Sequence, residues 1–183
     1  ELARNGARVI VACRNENKGK AAVEEIRKAL GTEGADPLLE VRVLDLASLA
    51  SVEEFAASVD GDLPEGLDLL INNAGVMAPP RLMTEDGFEL QIGTNHLGHF
   101  ALTGRLFGAL KRKADSRIVT ISSVAANFGK LNFDDFNSEA GYRRWQAYGQ
   151  SKLANLVFAL DLQSRIGESG LDMKSEAAHP GVS

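Results

Sequence analysis

The chain has a single cysteine, Cys13, so no internal disulfide can form, and that suits a reducing compartment. It has no excess of basic residues: 20 Lys and Arg stand against 25 Asp and Glu, a net charge of −5. A general nucleic-acid binder needs a basic face, so that class is set aside. No apolar run approaches the roughly 20 residues of a membrane-spanning helix, and no signal peptide opens the chain. Repeats, low-complexity tracts and linker-like stretches are missing too, so nothing marks a second domain. These absences lead to the expectation of one soluble, cytoplasmic domain. What is present is ordinary in bulk, and 183 residues can bury a real core.

The order of residues says more. Apolar, β-branched runs at 7–13, 41–45, 67–71, 117–121 and 173–179 read as five strands. Gly6 reads as the C′ glycine of a helix that ends over residues 1–5. Helices are expected at 17–30, with Ala22, Ile26 and Leu30 as the buried stripe, and at 48–59, with Ser51-Val52-Glu53-Glu54 as a capping box. A long helical region is expected over about 85–113, and a further helix over 145–166 with Leu153, Leu156, Val157 and Leu160 inward. Residues 31–37 read as a loop, and 127–144 as an irregular polar segment anchored by Phe133 and Phe136. Strands alternating with helices, the strands apolar throughout, predict an α/β, doubly wound parallel sheet covered on both faces. Ligands of such sheets bind at the carboxyl ends of the strands. Arg14, Asp45, Asn73, Ser123 and Pro180 each end or follow one. Glu176 resists this scheme, because a carboxylate in a buried strand is costly unless paired.

Tyr148 and Lys152 stand four apart in a helical stretch, so a phenol and an ammonium share one face. A nearby cation favours the phenolate, and such a tyrosine can take or give a proton. Alone, this pair could equally be an exposed helix pair. Tyr142 lacks the second element, since Gln146 stands where a lysine would. His96 and His99 lack cysteine or carboxylate companions, so they read as packing residues and no metal site is expected. Cys13 reads as a buried, inert thiol, and His179 as a structural turn residue.

Four segments occur together: Asn72-Asn73-Ala74-Gly75, Asn95 in a helix, Ser122-Ser123, and Tyr148-x-x-x-Lys152. In this order they resemble the short-chain dehydrogenase/reductase family along the whole chain. Cys13-Arg14-Asn15 and Thr94-Asn95-His96-Leu97-Gly98-His99-Phe100 look most like its retinol-dehydrogenase-like branch, and His179-Pro180-Gly181 matches the family's turn after its sixth strand. The resemblance implies a Rossmann fold and an oxidoreductase that moves a hydride between nicotinamide and a small hydrophobic alcohol or carbonyl substrate. It implies Tyr148 as acid–base group, Lys152 on the nicotinamide ribose, Ser123 rather than Ser122 on the substrate oxygen, and Asn95 holding a relay water. For the cofactor it implies Asp45 and Leu46 at the adenine, and Asn73, Ala74 and Gly75 at its ribose. Ile121, Tyr148, Lys152, Pro180 and Gly181 complete the lining. Where an NAD enzyme carries an acid for the ribose 2′-hydroxyl, this chain has Cys13 followed by Arg14, which can fork onto a 2′-phosphate. The cofactor expected is NADP rather than NAD.

The pattern also departs from the family. Residues 1–183 hold neither the family's glycine-rich phosphate loop nor its C-terminal segment. The expectation is a single Rossmann domain truncated at both ends, its first strand missing between the strands at 7–13 and 67–71. The alternatives are a catalytically silent dinucleotide-binding or interaction module of the same fold, and a sugar-nucleotide epimerase. In the family, the helices at 85–113 and 145–166 form subunit faces, so a homo-oligomer is expected.

Overall fold

A computed structural model describes residues 1–31 and 39–181. Most of the expected 31–37 loop, together with Val182 and Ser183, lies outside the described residues. The chain divides into two compact units, Glu1–Asp45 and Leu46–Ser183.

In the first unit a short 3₁₀ turn, Ala3–Asn5, closes on Gly6, whose φ of 84° is the left-handed conformation that glycine adopts freely. Strand β1 (Val9–Cys13) pairs in parallel with β2 (Leu39–Val43), Val9 facing Leu39 and Cys13 facing Val43. Helix α1 (Glu16–Leu30) starts at Asn15, whose side chain accepts the Lys18 amide, and ends at Gly31 in the left-handed region. Its buried residues are Gly19 and Val23, while Ala22 is exposed and Ile26 37% exposed, so the expected stripe is rotated. Close packing sets the rotation: a Cβ at residue 19 would overlap Cys13 Sγ and lie 2.7 Å from Val41. Only glycine lets the helix lie this near the strands. Cys13 is half-buried rather than fully buried, and its thiol donates to the Asn15 carbonyl at 3.3 Å.

The second unit holds a parallel three-stranded sheet in the order β3 (Leu69–Asn72), β4 (Ser116–Ile121), β5 (Met173–Ala178). Helix α2 (Leu49–Asp62) begins at Ser48, whose hydroxyl accepts the Ser51 amide. The cap is therefore one turn earlier than the expected box. With Ser48 as the cap, Ser51 stands at N3, the position from which a glutamate would have closed a box. The long helical region begins at 90 rather than 85, since Met83 and Glu89 first form an antiparallel bridge. It runs as a short α-turn, α3 (Leu90–Ile92), a π-turn (Gly93–Leu97) and α4 (Gly98–Lys111).

Helices α4 and α5 (Arg144–Ser169) cover one face of this sheet. On that face lie Leu70, Ile118 and Met173, with a polar knot in which Asn72 Nδ2 donates to Thr103 at 3.0 Å and to Thr120 at 3.4 Å. Ile71 and Glu176 point to the other side, and both are exposed. Among the described residues Glu176 is exposed, so its carboxylate is not the buried charge the apolar reading of this strand implied. Within α5, Val157 and Leu160 are 45% and 62% exposed, contrary to the expected stripe. The buried side is Ala147, Ser151, Lys152, Ala154, Asn155 and Ala159. Phe133 is likewise no anchor: it is 79% exposed and stacks on Phe136. Among the described residues, no helix is long and apolar enough to cross a membrane.

Candidate active site

The carboxyl ends of β3 and β4 and the first turns of α5 converge on Lys152. This residue is 5% exposed, and its Nζ donates to the Ile121 carbonyl at the end of β4, 3.0 Å away. Burial lowers its pKa from the ordinary lysine value, because a desolvated ammonium loses water that one carbonyl only partly replaces. Lys152 Nζ lies 5.8 Å from the centroid of the Tyr148 ring. Tyr148, one turn earlier, is half-buried and meets Trp145 edge to face. The helical spacing thus puts phenol and ammonium on one side, as their separation of four predicts.

The Lys152 main chain is held as well. Ser122 Oγ donates to the Lys152 carbonyl at 2.7 Å, so the first serine of the pair is committed inside the protein. Ser123 is more open and caps a 3₁₀ turn, Val124–Phe128, where its Oγ accepts the Ala125 amide at 3.2 Å and keeps its O–H to donate. That turn lies against α5 at two glycines. A Cβ on Gly129 would overlap the Gly149 carbonyl, and one on Gly149 would lie 3.0 Å from the Phe128 ring. Bulk at either position would push Ser123 away from the Tyr148 helix.

Asn95 sits in the π-turn with no exposed surface. Its Oδ1 accepts the Val76 amide at 2.8 Å, and its Nδ2 donates to the Val76 carbonyl at 2.9 Å and to Ser151 Oγ at 3.0 Å. Ser151 in turn donates to the Tyr148 carbonyl at 2.8 Å. One amide therefore ties the segment after β3 to the helix bearing Tyr148 and Lys152. Gly75 fits into this cluster closely: a Cβ there would lie 3.1 Å from Asn95 Oδ1 and 3.6 Å from Lys152 Nζ. The two histidines lie nearby. His99 donates Nδ1–H to the Asn95 carbonyl at 2.9 Å, and His96 shares Nδ1 with Asn155 Oδ1 at 3.2 Å. Burial lowers both pKa values, that of His99 to about 4.

Of the residues expected to serve the site, the structure brings Gly75, Asn95, Ile121, Tyr148 and Lys152 together, with Ser123 on the adjoining turn. Asn73 and Ala74 are exposed just beyond β3, and Pro180 and Gly181 are exposed beyond β5, Gly181 at a φ of 85°. Leu46 is buried, its carbonyl and Cβ against Gly98. Arg14 and Asp45 belong to the first unit, Arg14 exposed where β1 gives way to α1 and Asp45 half-buried past β2. Three participants went unread in the sequence: Ser151, Asn155 and Gln91. Helical spacing was the available signal, since Ser151 follows Tyr148 by three and Gln91 precedes Asn95 by four.

A family model described as short chain dehydrogenase matches residues 1–182. Retinol dehydrogenase 14 of Mus musculus is 46% identical over 188 residues, covering 100% of this chain and 55% of its own length. Retinol dehydrogenase 13 of Homo sapiens is 48% identical over 183 residues, with coverages of 100% and 53%. The chain thus spans about half the length of the curated relatives it matches. Among solved structures, an uncharacterized protein from Mycobacterium paratuberculosis superposes with a TM-score of 0.86 at 49% identity, over 100% of this chain and 62% of that one. A match along the whole chain, on a parallel α/β fold that gathers Asn95, Tyr148 and Lys152, means that this chain belongs to the short-chain dehydrogenase family, on its retinol-dehydrogenase-like branch.

Proposed function

We propose that the protein is an NADP-dependent oxidoreductase that interconverts a small hydrophobic alcohol and its carbonyl compound. The observation that carries this reading is the placement of Lys152: buried, held by the Ile121 carbonyl, and directed at both Gly75 and the Tyr148 ring. A lysine in that position serves a phenol that exchanges protons, whereas a purely structural lysine would extend to water.

The residues fit a dinucleotide. Asn73, Ala74 and Gly75 leave an exposed stretch of backbone at the end of β3, and the space a Cβ would fill at Gly75 borders Lys152. Ile121, Pro180 and Gly181 would hold the nicotinamide half, Arg14, Asp45, Leu46 and Asn73 to Gly75 the adenosine half, and the bound cofactor supplies or accepts the hydride. Within this reading Tyr148 moves the proton at the substrate oxygen. Lys152 keeps positive charge beside it, and the free O–H of Ser123 donates to that oxygen as charge develops. Ser122 cannot take this part while its hydroxyl serves the Lys152 carbonyl. The same reading includes a homo-oligomer, since Phe100 on α4 and Val157 and Leu160 on α5 present apolar surface to water.

The test follows NADPH and NADH at 340 nm with the full natural protein over a panel of aliphatic and aromatic aldehydes and ketones. Turnover that falls by ~10²–10⁴ in Tyr148→Phe is expected. Dinucleotide binding with no turnover on any member of the panel overturns the reading in favour of a silent binding module.

A further inference from the structure

Gln91 has no exposed surface, and the proposed chemistry gives it no part. Its side-chain oxygen accepts the Ala78 amide at 2.9 Å. Its nitrogen donates to Tyr142 Oη and to the Arg144 carbonyl, each at 2.9 Å. Tyr142 in turn donates its hydroxyl to the Pro79 carbonyl, also at 2.9 Å. Both polar atoms of one buried amide are therefore committed, and they join two segments far apart in sequence.

What they join matters for the site. Ala78 sits at a φ of 49°, a left-handed conformation an alanine keeps only when its surroundings hold it. It lies three residues beyond Gly75, in the segment whose Val76 is gripped by Asn95. Arg144 opens α5, and in an α-helix its carbonyl is the one that accepts the amide four residues on, that of Tyr148. Gln91 and Asn95 stand one turn apart, and between them they hold Val76 and Ala78. Buried Glu89 fixes the turn from which Gln91 projects, its carboxylate accepting the Gln91 and Ile92 amides at 3.0 Å each.

We propose that Gln91 is a positioning residue for the reaction, setting the first turn of α5, and with it the Tyr148 hydroxyl, against the segment that follows Gly75. The proposal rests on the oxidoreductase reading above. Gln91 touches neither substrate nor cofactor. It acts through Ala78 on one side and through Arg144 on the other. Tyr142, whose hydroxyl accepts from Gln91 and donates to the Pro79 carbonyl, belongs to this clamp and not to the proton transfer.

The test compares Gln91→Met, which keeps the volume and loses all three bonds, with Gln91→Glu, which keeps only the acceptor for Ala78, in the full natural protein. Loss of geometry between Tyr148 and the reacting centre lowers kcat with little change in KM. Gln91→Met is expected to lose at least tenfold in kcat with KM within threefold, and Gln91→Glu to retain part of that activity. Amide exchange at 76–78 and at 145–148 is expected to accelerate together in Gln91→Met. An unchanged kcat in a variant that only melts earlier makes Gln91 merely structural and overturns the proposal. Should the unmutated protein turn over nothing on the panel, the oxidoreductase reading falls, and amide exchange still decides the clamp. Coupled acceleration of the two segments then supports it, and exchange unchanged in either one overturns it.

Discussion

His99 donates its Nδ1–H to the carbonyl of Asn95, 2.9 Å away, inside a helix that makes a π-turn at that residue. The bond fixes the ring's tautomer, because a carbonyl can only accept. It also fills the carbonyl of the residue whose side chain ties Val76 to Ser151. A charged imidazolium does not suit the site, with the ring 2% exposed and Lys152 and His96 adding like charge. Burial is the largest cause and holds the pKa at about 4 against an ordinary 6.5.

A pH dependence of stability follows. Above pH 6.5 the ring is neutral whether the chain is folded or unfolded, so His99 makes no difference there. Between pH 6.5 and about 4 the unfolded chain binds a proton that the folded chain refuses, and stability falls as the pH falls. The loss reaches about 3 kcal/mol at the bottom of that window. Urea titrations at pH 7 and pH 4.5 measure it. In His99→Asn, whose amide can still donate to the Asn95 carbonyl, this part of the slope is expected to vanish while stability at pH 7 holds within about 1 kcal/mol. An undiminished slope in that variant would assign the acid sensitivity to other groups.

Helix α4 gives a paired prediction. Gly98 lies under Leu46, whose carbonyl oxygen a Cβ would overlap and whose own Cβ would be 2.9 Å away. Backbone cannot swing aside as the end of a long side chain can, so Gly98→Ala is expected to destabilise the protein by about 1–3 kcal/mol. Gly104 in the same helix has nothing within 4 Å of such a Cβ, and Gly104→Ala is expected to stabilise by about 0.5–1 kcal/mol through helix propensity. Thermal melts of the two variants should move in opposite directions. A Gly98→Ala protein as stable as its parent would mean that α4 can shift away from residue 46.

The contrast between these glycines indicates which features the sequence could reveal. Strands β1 and β4 were legible because their apolar runs are local, and so was the common side of Tyr148 and Lys152, which four-residue spacing sets. The inner face of α5 was not. Apart from Ile166 its buried residues are small or polar, since Lys152 must reach the Ile121 carbonyl and Asn155 that same carbonyl at 3.2 Å, while Val157 and Leu160 face water. Hydrophobic periodicity finds leucines and has no means of weighting such polar ties. The start of α2 misled for a related reason: the serine, valine and glutamates at 51–54 have the form of a cap, yet Ser48 caps the helix three residues earlier and takes the Ser51 amide for itself. The π-turn at Asn95 had no local signature at all, because it depends on Val76 and Ser151 reaching the same amide.

Arg14 supports the last prediction. It is exposed at the carboxyl end of β1, just before Asn15 caps α1, and no carboxylate stands in the Cys13-Arg14-Asn15 turn. A guanidinium can fork onto a phosphate with two parallel bonds, and bonds to a charged partner contribute about 1.5–3 kcal/mol, or roughly tenfold to a hundredfold in binding. If the proposed preference for NADP comes from this side chain, Arg14→Ala should raise the KM for NADPH by about that factor and leave that for NADH nearly unchanged, because NADH has no 2′-phosphate to lose. Arg14→Lys should fall between, keeping the charge without the fork. Carrying an acid into the turn with Cys13→Asp in the Arg14→Ala background should then lower the KM for NADH, by offering the ribose 2′-hydroxyl an acceptor. Equal losses for both cofactors in Arg14→Ala would place the arginine's effect in the fold of the β1–α1 turn and leave the preference for NADP without its proposed cause.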